Sequence, residues 1–287
     1  MAGREVLLII APWDLQVSFL KSLQTISPGI RVITSKYISL FEDSDVSFCT
    51  ANGVHPPRIA EWVIATFFSV SNIIITASWI SLHSDNQKRE TWATPETDED
   101  MADAVGLRMD VLGYRCTDRQ CARLAKAPGM DIHAFTLHER PTPECKRDHS
   151  YVEAGIGDPN GDIPSRWCHG CDQLNEFLAG LDLLFRTLGK RNSFVGNVGR
   201  GPIVNTDDLV DALNNGTIRG AAVDVTDPEP LPAGHPLWKA KNVIITPHVG
   251  GNSTQYSKRV LKVLARNLKN IGEGKELINK VNKSLSY

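Results

Sequence analysis

Leu107-Arg-Met-Asp-Val-Leu-Gly-Tyr-Arg-Cys-Thr-Asp118 is the stretch on which the fold turns. Leu107 to Leu112 reads as a strand that runs into a turn opened by Gly113. Arg119 to Ala127 then reads as a helix, Pro128-Gly129 stops it, and Met130 to Leu137 is a second apolar run. Strand, glycine turn, helix and strand make a βαβ unit, whose two strands lie parallel in one sheet.

Downstream the alternation continues. Short strand-like runs occupy Leu181 to Phe185, Phe194 to Val198, Gly220 to Val225 and Val243 to Thr246. Between the second and third, Thr206 can cap a helix, Asp207 and Asp208 suit its positive end, and Asn215-Gly216 closes it. Residues 138 to 175, rich in Pro, Gly and charge, read as a long insertion. The expected fold is α/β, a doubly wound parallel sheet of Rossmann type.

Upstream, Val6 to Ile10 is a candidate first strand, Asp14 to Gln24 a helix, Gly29 to Thr34 a second strand and Val46 to Thr50 another. Pro57 opens a helix with Ile59, Trp62, Val63, Thr66 and Phe67 on one face. Ser84 to Ala104 reads as a linker, and Ser253 to Ile271 as a last amphipathic helix. Residues 53–255 are expected to form a dinucleotide-binding domain. Residues 1–52 with 256–287 are expected to form a smaller, flavodoxin-like lobe for the substrate.

The 287 residues carry 41% hydrophobic and 22% charged side chains and a formal net charge of −2, which gives no general attraction to nucleic acid or anionic membrane. Trp62 to Leu82 is uncharged and long enough to span a bilayer, but Ser71-Asn72 at its centre disfavours hydrocarbon, and a buried helix is the better reading. Cys145-x3-His149 and Cys168-x2-Cys171 have zinc-like spacing without a small-finger pattern around them, so no metal is expected. A cytoplasmic protein with reduced thiols follows.

The chemistry is concentrated in Asn197-Val-Gly-Arg-Gly201, Asp224-Val-Thr-Asp-Pro-Glu-Pro-Leu-Pro232 and Thr246-Pro-His-Val-Gly-Gly251. These runs resemble the D-isomer-specific 2-hydroxyacid dehydrogenases, and Asp-Pro-Glu-Pro-Leu-Pro looks like a fungal branch of them. The resemblance implies an oxidoreductase that moves hydride between NAD or NADP and a small 2-hydroxy or 2-keto acid. It implies that Arg200 grips the keto acid, which a planar guanidinium can do at two points. His248 would exchange a proton with the carbonyl oxygen, and Glu229 would hold the other ring nitrogen. Asp224 would meet the nicotinamide carboxamide. A homodimer is compatible with this picture.

The chain also departs from the family. Gly113-Tyr-Arg-Cys-Thr-Asp118 keeps only the first glycine of G-x-G-x-x-G, with Arg115 and Asp118 at the other two positions. Weak cofactor binding is therefore expected. The ribose-binding position falls on Thr136, with Arg140 close behind, and favours NADP if Arg140 does not simply belong to the following loop. Only seven residues, Arg186 to Asn192, separate two successive strands, so one strand should be lost, misplaced or irregular. Residues 35–48 look short for a substrate lid. The alternative to an enzyme is a catalytically impaired family member acting as a binding protein, or a truncated gene product.

Overall fold

The computed structural model describes residues 6–10, 16–28, 31–35, 47–70, 85–92, 103–178, 182–185 and 193–282. The chain divides into two compact units, residues 1–54 with 254–287 and residues 55–253. The first unit begins as a βαβ motif. Strands β1 (Val6–Ile10) and β2 (Arg31–Ser35) pair in parallel, and α1 (Val17–Ile26) between them buries Phe19 and Leu23. Residues 47–50, the described part of the expected strand at 46–50, form no strand. Cys49 instead makes an isolated antiparallel bridge with Lys280, so the chain's last described stretch pairs back onto the first unit.

The second unit opens with α2 (Pro56–Val70), which buries Ala60, Trp62, Val63, Thr66 and Phe67. The Thr66 hydroxyl is accommodated in that apolar face because it donates to the Trp62 carbonyl at 2.8 Å. The remainder of the uncharged stretch, residues 71–82, lies outside the described residues. Among the described residues no helix is long and apolar enough to cross a membrane.

Seven parallel strands follow: β3 (Arg108–Leu112), β4 (Asp131–Thr136), β5 (Arg166–His169), β6 (Leu183–Phe185), β7 (Phe194–Asn197), β8 (Gly220–Val223) and β9 (Val243–Ile245). Their order is β5-β4-β3-β6-β7-β8-β9, so the winding reverses between β3 and β6. An open α/β sheet places its ligands at the carboxyl ends of the strands beside such a reversal. Both faces are covered, as a parallel sheet requires. Phe194 and Ala222 join one apolar cluster with α2 and α3 (Cys116–Lys126), whereas their strand neighbours Val195, Ala221 and Val223 join another with Leu209 and Leu213. The period of two along each strand sends alternate residues to opposite cores.

Three further expectations are corrected. Residues 138–175 are more than an insertion: they hold the short helix α4 (Pro143–Lys146), the edge strand β5 and most of α5 (Gly170–Leu178), so the β4-to-β5 crossover is complete. No strand is lost around Arg186 to Asn192. Strand β6 pairs in parallel with both β3 and β7, and residues 186–192 lie outside the described residues. Finally, the cap of α6 (Thr206–Asn214) is Asn205, whose side chain accepts from the amides of Asp207 and Asp208. Thr206 instead donates its hydroxyl proton to the Asp227 carbonyl at 2.7 Å. After α6 and the last two strands, α7 (Tyr256–Gly272) returns to the first unit, where it lies against α1.

Candidate active site

Loops at the ends of β7, β8 and β9 carry the three residues assigned to catalysis. After β7, the Asn197 side chain accepts from the Gly199 amide at 3.1 Å and donates to the Arg200 carbonyl at 3.0 Å, which turns the chain sharply. Gly201 then meets the next loop backbone to backbone: a Cβ there would sit 1.9 Å from the Thr226 carbonyl oxygen. Only glycine permits that approach, and it presses the arginine loop against the Asp227-Pro-Glu-Pro turn. The Arg200 guanidinium donates to the Gly199 carbonyl at 2.7 Å. Asn197 and Gly201 hold the arginine loop in place, roles that the reading of the motif did not assign to them.

His248 and Glu229 meet. The Nδ1 atom of His248 lies 2.7 Å from Oε1 of Glu229, although the two are nineteen residues apart, and both side chains are substantially exposed. One ring nitrogen is thereby engaged, and Nε2 is the other. His248 adopts a left-handed backbone with φ 54°, uncommon for a residue with a Cβ. Asp224 is buried beneath it, where its carboxylate accepts from the Thr246 hydroxyl and the amides of Val249 and Gly250.

The other end of the crevice is built differently. Gly113 retains φ 86°, and its amide donates to the Phe135 carbonyl at 2.8 Å. Arg115 is an exposed N-cap with φ −96°, a conformation any residue adopts, so the loop no longer requires a second glycine. Asp118 is fully buried, and its carboxylate accepts the Arg115 amide at 3.0 Å. An amide at a helix start of this kind is where a Rossmann fold receives pyrophosphate. Here a side-chain anion accepts it.

Around this loop stands a polar network absent from the sequence reading. Buried Arg119 donates to the carbonyls of Tyr114, Asp158 and Lys146 at 3.0, 2.5 and 2.6 Å, and Asp148 lies 3.7 Å away. The Tyr114 hydroxyl donates to Asp158 at 2.9 Å, and burial together with that carboxylate pushes its pKa far above the ordinary phenol value. Thr136 ends β4 with its hydroxyl on the His138 carbonyl at 2.7 Å. Arg140, exposed, donates to the Cys145 carbonyl at 2.5 Å, so it braces its own loop.

A nicotinamide dinucleotide fits the parallel sheet, the positive-φ Gly113 and the three loops. It meets resistance at one place, the Arg115 amide that Asp118 already faces. Among the described residues no cluster of three or more His, Cys, Asp or Glu is arranged to hold a metal ion.

Residues 182–250 match the family described as D-isomer specific 2-hydroxyacid dehydrogenase, NAD binding domain. The hydroxypyruvate reductase of Blautia hydrogenotrophica is 30% identical over 83% of this chain and 74% of its own length. An uncharacterised protein of Corynebacterium melassecola is 50% identical, but over only 35% of this chain and 34% of its own length. Among solved structures, a D-isomer specific 2-hydroxyacid dehydrogenase family protein from Aeromonas salmonicida superposes with a TM-score of 0.71 at 19% identity, covering 98% of this chain and all of that one.

Proposed function

The chain belongs to the D-isomer-specific 2-hydroxyacid dehydrogenases, NAD(P)-dependent oxidoreductases of 2-hydroxy and 2-keto acids, and from that premise we propose that it reduces a small 2-keto acid such as hydroxypyruvate. The observation that carries the reading is the 2.7 Å contact between His248 Nδ1 and Glu229 Oε1. A carboxylate on Nδ1 fixes the ring's orientation and leaves Nε2 to give a proton to the substrate's carbonyl oxygen. Arg200 binds the substrate carboxylate and adjacent carbonyl as a planar two-point donor. A nicotinamide cofactor held at the Gly113 turn would supply the hydride to the carbonyl carbon. In the reverse direction His248 accepts the proton of the hydroxyl.

Residues 53–255 would hold the cofactor, and residues 1–52 with 256–287 would serve the substrate. Thr136 in place of a carboxylate at the ribose position favours NADP over NAD. The reading extends to a cytoplasmic homodimer of the fungal-type branch, and light scattering on the purified chain checks the dimer. Titration with NADPH and NADH, followed by nicotinamide fluorescence and then by turnover of hydroxypyruvate, tests the function. Binding with turnover that disappears in His248→Gln is the expected result. The buried Asp118 at the helix start favours a second reading, a family member that keeps the fold and has lost the cofactor. Absence of binding at millimolar NADPH and NADH would establish that one instead.

A further inference from the structure

Asp224 stands one residue beyond β8, and it is the point from which the whole histidine loop hangs. Its Oδ1 accepts from the Thr246 hydroxyl at 2.5 Å and the Val249 amide at 2.9 Å, and its Oδ2 accepts from the Gly250 amide at 2.8 Å. Its backbone carbonyl accepts the His248 amide at 2.8 Å, while its own amide donates to the Asn197 carbonyl at 2.9 Å. Every residue from Thr246 to Gly250 except Pro247, which has no amide proton, is therefore tied to Asp224. The carboxylate is 4% exposed. Gly250 has no side chain for a matching reason, since a Cβ would lie 2.9 Å from Asp224 Oδ2 and 3.4 Å from the Trp62 ring.

We propose that Asp224 is a positioning residue: its buried carboxylate folds the Thr246-to-Gly250 loop and so delivers the His248 ring to Glu229. The inference rests on the oxidoreductase reading of the same site, and it differs from the cofactor contact that the resemblance implies. A left-handed histidine persists only where its surroundings over-determine it. Here a charged acceptor holds the two amides that follow His248, and the adjoining carbonyl holds the one on His248 itself. Hydrogen bonds to an ionised acceptor in a water-poor site are the strong kind.

Asp224→Asn tests this, because an amide turns one acceptor into a donor that must face an N–H. Thr246→Val is the milder companion, removing a single hydroxyl donor. Three measurements are made on the full chain. Hydrogen exchange at the Val249 and Gly250 amides should accelerate at least tenfold in Asp224→Asn and by a smaller factor at both amides in Thr246→Val. The downfield proton resonance of the His248 Nδ1–Glu229 contact should weaken or vanish in Asp224→Asn. With hydroxypyruvate, kcat should fall tenfold or more and its pH profile should shift, while the NADPH dissociation constant changes less than threefold. Unchanged exchange and an unchanged imidazole resonance, with cofactor affinity reduced tenfold, would overturn the proposal in favour of a carboxamide contact. If Asp224→Asn does not fold, Thr246→Val with unchanged exchange at both amides would also overturn it. The exchange and resonance readings need no turnover, so an inactive wild-type chain would refute the oxidoreductase reading and leave the loop clamp separately decided.

Discussion

The two halves of the seven-stranded sheet have kept the same architecture by different means. In the half from β6 to β9, loops interlock through close backbone approach, as at Gly201, and through one buried carboxylate, Asp224, whose partners are all in the next loop. In the half from β3 to β5, buried charged side chains fill the sites: Asp118 under the glycine loop, Arg119 and Asp158 between α3 and the crossover, Asp110 within β3. The family match at residues 182–250 covers the first half and stops short of the second. The difference teaches that a parallel sheet and its crossovers tolerate exchange of a ligand-binding loop for a self-satisfied one. Backbone topology depends on strand pairing and covered faces, whereas ligand chemistry depends on a few unfilled amides.

The comparison breaks first at His248. If the β6-to-β9 half is a working site, His248→Gln should lower turnover of hydroxypyruvate by about two to four decades, the range for loss of a general acid. Folding should be unaffected, because the ring is largely exposed. Glu229→Gln should lose less at neutral pH, since it weakens the charge on Nδ1 but keeps an acceptor there. Steady-state kinetics with either nicotinamide checks both. Equal activity in His248→Gln would mean that the intact-looking half is a relic.

The β3-to-β5 half should yield next, through Arg119. Its guanidinium reaches three carbonyls and the Asp148 carboxylate from a buried position, so Arg119→Met leaves polar groups stranded. Removal of a buried charge from such a network costs about 3–5 kcal/mol. Denaturant unfolding should show the loss, and limited proteolysis should cut within 140–163 in the variant. A shift below about 1 kcal/mol would show the network to be incidental to that half.

These two predictions mark where the sequence was legible. Thr246-Pro-His248 and Asp227-Pro-Glu229 stand in contiguous motifs, so the resemblance to the 2-hydroxyacid dehydrogenases pointed to the pair. Arg119 finds its carbonyls 27 and 39 residues away, and no local pattern announces that. Strand β5 was hidden in Arg-Trp-Cys-His, four residues without a run of apolar side chains. The helix cap was misread by one position because Asn205 and Thr206 are both good capping residues and only geometry chooses between them. The break between α1 and β2 was legible because Pro28-Gly29 punctuates the sequence there.

A subtler contrast lies in pH dependence. Asp110 is fully buried in β3 with Arg108 on both carboxylate oxygens at 2.6 and 2.7 Å. Burial outweighs that pairing and raises its pKa from 3.8 to about 6, with Asp182 pushing the same way and Arg166 opposing. The neighbouring strand places His133 opposite it, and that imidazole is depressed by burial and by Arg108. A carboxyl with a raised folded-state pKa binds its proton more tightly in the folded chain. Its contribution is therefore full below about pH 4 and is lost as pH rises towards 6, at most about 3 kcal/mol from two pKa units. Thermal unfolding should show this component between pH 4 and 6 in the wild type and not in Asp110→Asn. A pH response between pH 4 and 6 that survives Asp110→Asn would mean that this buried carboxyl is not its source.

The smallest expected effect bears most directly on the difference between the halves. Asp118 accepts the Arg115 amide at the start of α3, and Arg115 stands exposed at the loop tip. Replacing both, Arg115→Gly with Asp118→Gly, removes the side-chain anion from the helix start and restores the small residues that let pyrophosphate approach. Loss of one repulsive charge at a helix terminus together with steric relief amounts to about 1–3 kcal/mol, or roughly one to two decades in NADPH affinity. The cost is part of a capping interaction, so the double variant should unfold at slightly lower temperature while binding better. Fluorescence titration with NADPH and NADH, beside a melting curve, separates the two effects. Improved affinity would mean that the carboxy half is a complete site served by a self-occupied loop. No binding in either form would place the fault beyond the glycine loop. Tight NADPH binding by the unaltered chain would reverse the contrast, making Arg115 a phosphate ligand and the charged half a rebuilt cofactor site.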